Sequence, residues 1–301
     1  LSRPFFAHTI DCFRHGDFNR YDISDSRFFF LWPGFDTLRF TPLVGTAFMS
    51  SALPQEMQQH TYAIMDEVEG SHWWFVGRRA ILESFMETLI KDQSSKIEDP
   101  KILDVGCGTG ANLEMLAQYG TAQGVDVSDD ALEFCRKKGL DAKKGLAEEL
   151  PFEDESFDVV TALDVVEHLD DDVAGLKEMH RVLKKGGKTL IFVPAFMWLW
   201  GVQDDISNHR IRYTRAQIVE RLGKAGFKVE RATYANWTFF APILAGRTLM
   251  KLTGLKPESE NNVNISALNG VFGKLFGAER YWLKKFNFPL GVSIVITASK
   301  N

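Results

Sequence analysis

From about residue 55 onward the apolar positions keep a period, and before it they do not. Gln55 to Val68 and Arg78 to Ile90 read as helices; in the second, Ile81, Phe85, Leu89 and Ile90 recur at helical spacing. Between them stands the run His72-Trp73-Trp74-Phe75, followed by Gly77-Arg78-Arg79. Short apolar runs then alternate with amphipathic ones. Strands are expected over 101–105, 122–127, 157–162, 189–193 and 228–234, and helices over 111–118, 130–138, 173–183 and 215–225. Gly186-Gly187 reads as a stop ahead of the fourth strand. Such alternation predicts an α/β fold, a mostly parallel sheet with helices on both faces. A last strand, Val292 to Ala298, follows a long gap, 236–290. The gap reads as a helical insertion of two helices, Trp237 to Leu252 and Ile265 to Leu283, with a flexible join from Pro257 to Asn264.

Residues 1–52 are rich in phenylalanine but hold neither period, so they are expected to be an irregular extension, disordered or non-native, with Met49 or Met57 as candidate starts. The domain proper is expected to run from 53 to 301, with a helical cover over 55–92. The N-terminus lacks a signal-peptide pattern.

Composition narrows the function classes. Hydrophobic residues make up 45% of the 301 and charged residues 25%, which argues against a disordered, collagen-like or disulfide-framework chain. Lys plus Arg number 35 and Asp plus Glu 40, a net charge of −5. That balance, without an extended basic stripe, argues against nucleic acid as partner. Cys12, Cys107 and Cys135 make no CxxC pair, so a reducing compartment without structural zinc is expected. No run of about eighteen uncharged apolar residues reads as a membrane-spanning helix. A cytoplasmic location is expected, with peripheral contact at a membrane surface through 237–285 as an open alternative. Trp237, Phe239 and Phe240 with Arg247 and Lys251 suit such an interface.

The most informative segment is Leu103-Asp104-Val105-Gly106-Cys107-Gly108-Thr109-Gly110-Ala111, a strand entering a glycine turn and then a helix. Glycines let a nucleotide approach the backbone closely. Gly106, Gly108 and Ala111 satisfy the dinucleotide fingerprint, so a nicotinamide-dependent dehydrogenase stays open. Charge favours another ligand. Asp104 would repel a pyrophosphate, whereas S-adenosylmethionine carries an ammonium and a sulfonium and no phosphate. Asp126 follows about twenty residues past the loop, where a carboxylate accepts from ribose hydroxyls. A non-catalytic binding subunit is the third reading.

Five segments in order carry a family resemblance. They are the loop 103–110; Gly124-Val125-Asp126-Val127-Ser128; Ala147-Glu148-Glu149-Leu150-Pro151-Phe152 with Phe157-Asp158-Val159-Val160; Leu163-Asp164-Val165-Val166-Glu167-His168-Leu169; and Arg181-Val182-Leu183-Lys184-Lys185-Gly186-Gly187. Together they resemble the class I S-adenosylmethionine-dependent methyltransferases over residues 100–195, the expected cofactor-binding core. The resemblance implies a Rossmann-like, doubly wound, seven-stranded sheet whose last strand is antiparallel. It implies that Asp104 faces the methionine ammonium and that Gly106, Gly108 and Gly110, with Cys107 among them, pack on the methionyl part. Asp126 would hold the ribose, Val127 would lie along the adenine, and Ala147 and Glu148 would flank its edge. Members often carry an Asp where this chain has Leu146.

For the transfer itself, Asp164, Glu167 and His168 share one face of a helical turn. Three readings stand. The acids cap a helix and border the cofactor; His168 is a base or acceptor contact; or the three hold a divalent metal, resembling the acidic-x-x-Glu-His cluster of ubiquinone-pathway O-methyltransferases. No metal ligand is assigned on this pattern. The segment 195–214 is expected to roof the acceptor, with His209, Arg212 and Tyr213 as polar handles. Against that, Thr214 could merely cap the next helix and Arg212 pair with Asp205. His168, His209 and Tyr213 are the catalytic candidates. The acceptor is expected to be a small molecule or a lipid- or sugar-linked one.

Overall fold

In the computed structural model the described residues are 59–93, 98–254 and 266–301. The N-terminal extension and the Pro257–Asn264 join lie outside them. Seven strands form one sheet: β1 (Lys101–Val105), β2 (Thr121–Asp126), β3 (Ala142–Lys144), β4 (Phe157–Leu163), β5 (Leu183–Pro194), β6 (Lys228–Ala235) and β7 (Ser293–Ser299). Their order is β3-β2-β1-β4-β5-β7-β6. All neighbours are parallel except β7, which runs antiparallel between β5 and β6. The expected doubly wound sheet with an antiparallel last strand is therefore present.

The helices are α1 (Gln59–Val68), α2 (Trp73–Gln93), α3 (Ala111–Leu116), α4 (Asp129–Lys137), α5 (Asp172–Val182), α6 (Val202–Ile206), α7 (Arg215–Lys224), α8 (Phe240–Thr253), α9 (Ser266–Gly277) and α10 (Glu279–Leu283). One sheet face packs on α5 and α7 through Leu176, Met179, Ile218 and Leu222. The other packs on α2 and α9 through Ile81, Phe85, Met86 and Phe276. Helices on both faces leave β4 and β7 buried at every position, which is why those strands read as continuous apolar runs rather than alternating ones.

Four local readings need correction. β3 went unread because its sequence, Ala142-Lys143-Lys144, has no strand pattern; its backbone pairing with β2 makes it. Helix α2 starts at Trp73 rather than Arg78, so the aromatic run lies inside the helix, with the Trp73 amide donating to Asn269 of α9. Gly186-Gly187 is not a stop but part of β5; Gly186 has φ +76° and its amide donates to the Lys300 carbonyl. The stretch expected as one helix from 265 to 283 is two, α9 and α10. The side chain of Glu279 turns back to accept from the amides of Asn236 and Thr238, both at 2.8 Å.

The order β2-β1-β4 creates a switch point. The chain leaves β1 toward β2, then returns to pair β4 on its other side, so a crevice opens at the carboxyl ends of β1 and β4. Helix α2 crosses nearby and is held by α9 at a glycine contact: a Cβ on Gly77 would stand 2.5 Å from Phe276 Cδ1. Helix propensity alone would favour a side chain at Gly77 by several tenths of a kcal/mol, but overpacking costs about 1–3 kcal/mol. Gly77→Val is therefore expected to lower the urea midpoint and to speed amide exchange in α9.

Candidate functional site

The crevice is lined by the residues that end β1, β2, β4 and β5. Asp104, fourth in β1, is 1% exposed. Its Oδ1 accepts from Thr161 Oγ1 of β4 at 2.6 Å, while its Oδ2 is buried without a hydrogen-bond partner. Burial pushes its pKa up to about 7, with the Thr161 hydroxyl and Arg78 opposing. Beyond it the loop needs three left-handed residues, Gly106, Gly108 and Gly110, at φ +68°, +52° and +92°. A Cβ on Gly106 would lie 2.4 Å from Val165, and one on Gly110 2.5 Å from Leu140, so these two are fixed by packing as well. A Cβ on Gly108 would meet nothing within 4 Å, so the loop is open there.

Asp126 ends β2. Its two oxygens accept from the amides of Gly108, at 2.8 Å, and Ser128, at 2.9 Å, joining the glycine loop to the start of α4. Val127 is half-buried beside it. The Cys107 side chain turns away from the loop surface into the core, 4.0 Å from Cys135 Sγ. Only its backbone is available to a ligand. Ala147 is buried and Glu148 half-buried, in the segment after β3. Burial raises the Glu148 pKa, and Asp170 and Asp171 add to it.

The end of β4 carries the charged groups. Asp164 has φ +62°, and Phe196, past the end of β5, has φ +61°. Two non-glycine residues held left-handed at adjacent strand ends mark strained backbone of the kind found at binding sites. Asp164 Oδ2 lies 2.7 Å from Arg78 Nε of α2. The same guanidinium donates to Asn112 and lies over the rings of Trp74 and Phe192. Asp164 is thus tied to the helical cover and does not join Glu167 and His168.

A single 3-10 turn, Val166–His168, follows. Glu167 is fully buried, and neither side-chain oxygen has a hydrogen-bond partner. Burial first and the Asp164 charge second push its pKa well above the usual carboxylate value. His168 is driven the other way, to about 3, by burial and by neighbouring His209 and Arg210. The rings of His168 and His209 meet edge to face at 4.7 Å.

His209 comes from the acceptor segment, forty-odd residues on. Its Nδ1 lies 2.8 Å from Asp204 Oδ1, and its Nε2 lies 4.0 Å from Glu167 Oε1. Glu167, His168 and His209 place one ligand atom each within 4.8 Å of one another. This differs from the group expected from spacing: His209 takes the place of Asp164. The Asp204–His209 contact is the outer-shell arrangement that fixes an imidazole tautomer beside a metal.

Asp204, 1% exposed, also meets Arg212 at 2.7 Å and Arg247 of α8 at 3.5 Å. Burial alone would raise its pKa, but His209, Arg212 and Arg247 outweigh that and hold it below the usual range. Arg212 pairs with Asp204 rather than Asp205, which instead accepts from the Trp200 indole. Arg212 also donates to the carbonyls of Ala195 and Val292. Thr214 caps α7 through Gln217. Tyr213 does not face the crevice: it is fully buried, and its hydroxyl donates to Asp172 at 2.8 Å. The structure therefore brings together His168 and His209 but not Tyr213. Past the end of β5, Phe196 stacks on Tyr234 at 5.0 Å and on Trp198 at 4.9 Å. Glu167 is read from its spacing with Asp164 and His168, whereas Asp204 has no such signal, because its partner Arg247 lies on another element.

Removing Asp204 strands two buried guanidiniums. Asp204→Ala is expected to cost about 3–5 kcal/mol in urea unfolding, and Asp204→Asn less, because the amide still accepts.

Residues 103–191 match the family model described as a methyltransferase domain. A demethylmenaquinone methyltransferase of Chlorobaculum parvum is 43% identical over 100 residues, 32% of this chain and 42% of that one. A ubiquinone biosynthesis O-methyltransferase of Pseudomonas entomophila is 35% identical over 108 residues, 32% of this chain and 45% of that one. The matched stretch thus spans less than half the length of these relatives. A solved methyltransferase structure from Thermotoga maritima shares the fold, with a TM-score of 0.51, 21% identity, and coverage of 82% of this chain and 100% of that one. Among the described residues no helix is long and apolar enough to cross a membrane. The glycine loop, the acids ending β1 and β2 and the family match agree: residues 103–191 match a methyltransferase domain and are similar to the class I S-adenosylmethionine-dependent methyltransferases.

Proposed function

We propose that this chain transfers the methyl group of S-adenosylmethionine to a hydroxyl oxygen of a small, largely apolar acceptor of quinol type. The observation that carries the donor assignment is the buried, unpartnered Asp104 Oδ2 beneath the glycine loop. A buried carboxylate oxygen without a partner is costly, and a donor cation removes the cost. The methionine ammonium supplies such a cation, and a pyrophosphate does not. Gly108 lets the methionyl part lie close to the backbone. Asp126, fixed by two amides, takes the ribose, with Val127 along the adenine and Ala147 and Glu148 at its edge.

The acceptor reading rests on the roof. Phe196, Trp198 and Tyr234 form a stacked aromatic set against which a flat ring fits. The relatives named for quinone substrates share the cofactor half of the domain. During transfer the acceptor oxygen attacks the methyl carbon as the carbon–sulfur bond breaks, leaving neutral S-adenosylhomocysteine. The hydroxyl proton must go to a base. Glu167, His168 and His209, which place ligand atoms within 4.8 Å of one another, are the groups proposed to receive it.

The same residues also support a second reading. Glu167, His168 and His209 offer one carboxylate oxygen and two imidazoles, a donor set suited to a divalent cation. The unpartnered oxygens of Glu167 fit it. Such an ion would supply positive charge that makes the acceptor hydroxyl more acidic. His209 would be positioned for it by Asp204.

Calorimetry tests the donor. S-adenosylhomocysteine is expected to bind and NAD is not; NAD binding without adenosyl binding overturns the proposal. Asp126→Ala is expected to weaken binding about 10- to 100-fold, the loss of a charged hydrogen-bond pair. Asp104 must be ionised to meet the ammonium. Affinity is therefore expected to fall as pH drops below about 7, approaching tenfold per pH unit, and Asp104→Asn flattens that slope. Glu167→Gln is expected to leave binding intact and to abolish turnover with quinol acceptors. Activation by added zinc or manganese that Glu167→Gln and His209→Ala both remove selects the metal reading.

A further inference from the structure

The insertion between β6 and β7 has a face that the methyl-transfer site does not use. Its described residues carry six cations, Arg247, Lys251, Lys274, Arg280, Lys284 and Lys285, against one acid, Glu279, in a chain whose net charge is −5. Arg247 and Glu279 are buried, in contacts already given. Phe239 is packed inward between Trp73 and Phe272. Among the described residues the outward cations are thus left without an outward acid of the insertion, while the stretch 255–265 adds Lys256 with Glu258 and Glu260 to its sequence; from α2, Glu87 lies 3.4 Å from Lys284, and Glu83 and Glu87 act on Arg280.

Among these cations lies a continuous aromatic cluster. Trp237 stacks on Phe288, Phe288 on Trp282, and Trp282 touches Phe286 at 4.8 Å. Trp237, Trp282 and Phe286 are nonetheless 51%, 52% and 54% exposed. Arg280 lies over the ring of exposed Tyr281. Half-exposed indoles and phenyls flanked by lysine and arginine have the chemistry of a headgroup-level contact: the rings enter the interface and the cations meet anionic lipid. An isologous contact between two copies would instead bring like charges together.

The position fits a lipid-facing role. Phe288 bridges to Tyr234 of β6. Tyr234 stacks on Phe196, and Phe196 on Trp198, of the acceptor roof. The cluster therefore adjoins the sheet end that holds the crevice. We propose that the face formed by Trp237, Trp282 and Phe286, bordered by Arg280, Lys284 and Lys285, docks on an anionic lipid bilayer and sets the acceptor roof beside it. The docking stands apart from the identity of the acceptor.

Co-sedimentation of the full chain with vesicles tests it, using phosphatidylcholine with and without phosphatidylglycerol. The wild type is expected to sediment with the anionic vesicles and to be released by salt. Lys284→Gln with Lys285→Gln is expected to lower the partition coefficient about thirtyfold, from about 1 kcal/mol per cation. Trp282→Ser is expected to lower it on anionic vesicles while leaving solution behaviour unchanged. Calorimetric binding of S-adenosylhomocysteine, retained by both variants, shows them folded and keeps the result separate from the donor assignment. Three results overturn the proposal: no sedimentation with either vesicle, sedimentation that neither variant weakens, or concentration-dependent self-association that Trp282→Ser abolishes in the absence of vesicle binding. The last assigns the face to a second copy of the chain.

Discussion

Asp204 is one carboxylate answering three cationic or ionisable side chains from separate parts of the chain. His209 and Arg212 come from the segment after β5, and Arg247 comes from α8. Arg212 in turn donates to carbonyls at the end of β5 and just before β7. Taking such charges out of water costs several kcal/mol per ion unless every one is matched. The matching is what allows a polar loop to lie over an apolar sheet end. It also fixes the His209 ring with its far nitrogen toward Glu167. The orientation of His209 thus depends on a carboxylate that is itself buried.

The donor side solves the opposite problem. Asp104, Asp164 and Glu167 gather acidic charge at the switch point between β1 and β4, and Arg78 is the cation of the helical cover that meets it. Arg78 reaches this place because Gly77 lets α2 sit against Phe276 of α9 and because Trp74 and Phe192 sandwich its guanidinium. Arg78 faces all three acids and Arg212 acts on Asp164 and Glu167, yet burial still leaves Asp104 and Glu167 with raised pKa values. A site with desolvated acidic groups is preorganised for cationic ligands.

The sheet and its cofactor end were legible in the sequence, because close-spaced motifs carry local geometry. Glycines at 106, 108 and 110 announce left-handed backbone, and Asp126 follows at a spacing set by one helix and one strand. The acceptor side was legible only as a segment. Its partners meet across the fold: Asp204 with Arg247, Glu167 with His209, Asp164 with Arg78. No spacing rule reaches over such separations. Tyr213 illustrates the converse. It sits between polar residues in the chain, yet it is fully buried and its hydroxyl donates a hydrogen bond to Asp172. β3 was invisible because pairing, not composition, makes it a strand.

The placement of β7 has a consequence for how the chain reaches this state. β5 and β6 share no hydrogen bonds; β7 lies between them, pairing with β5 over Lys188–Pro194 and with β6 over Lys228–Ala235. β7 follows both in the chain, after the insertion. As synthesis proceeds, the strand that must separate β5 from β6 is the last to arrive, and until it does β5 presents a long apolar edge. Contacts of such sequence separation form slowly. An open edge in the meantime is a template for pairing between molecules. The nascent sheet is thus expected to be most vulnerable to aggregation in the interval before its final strand is threaded home.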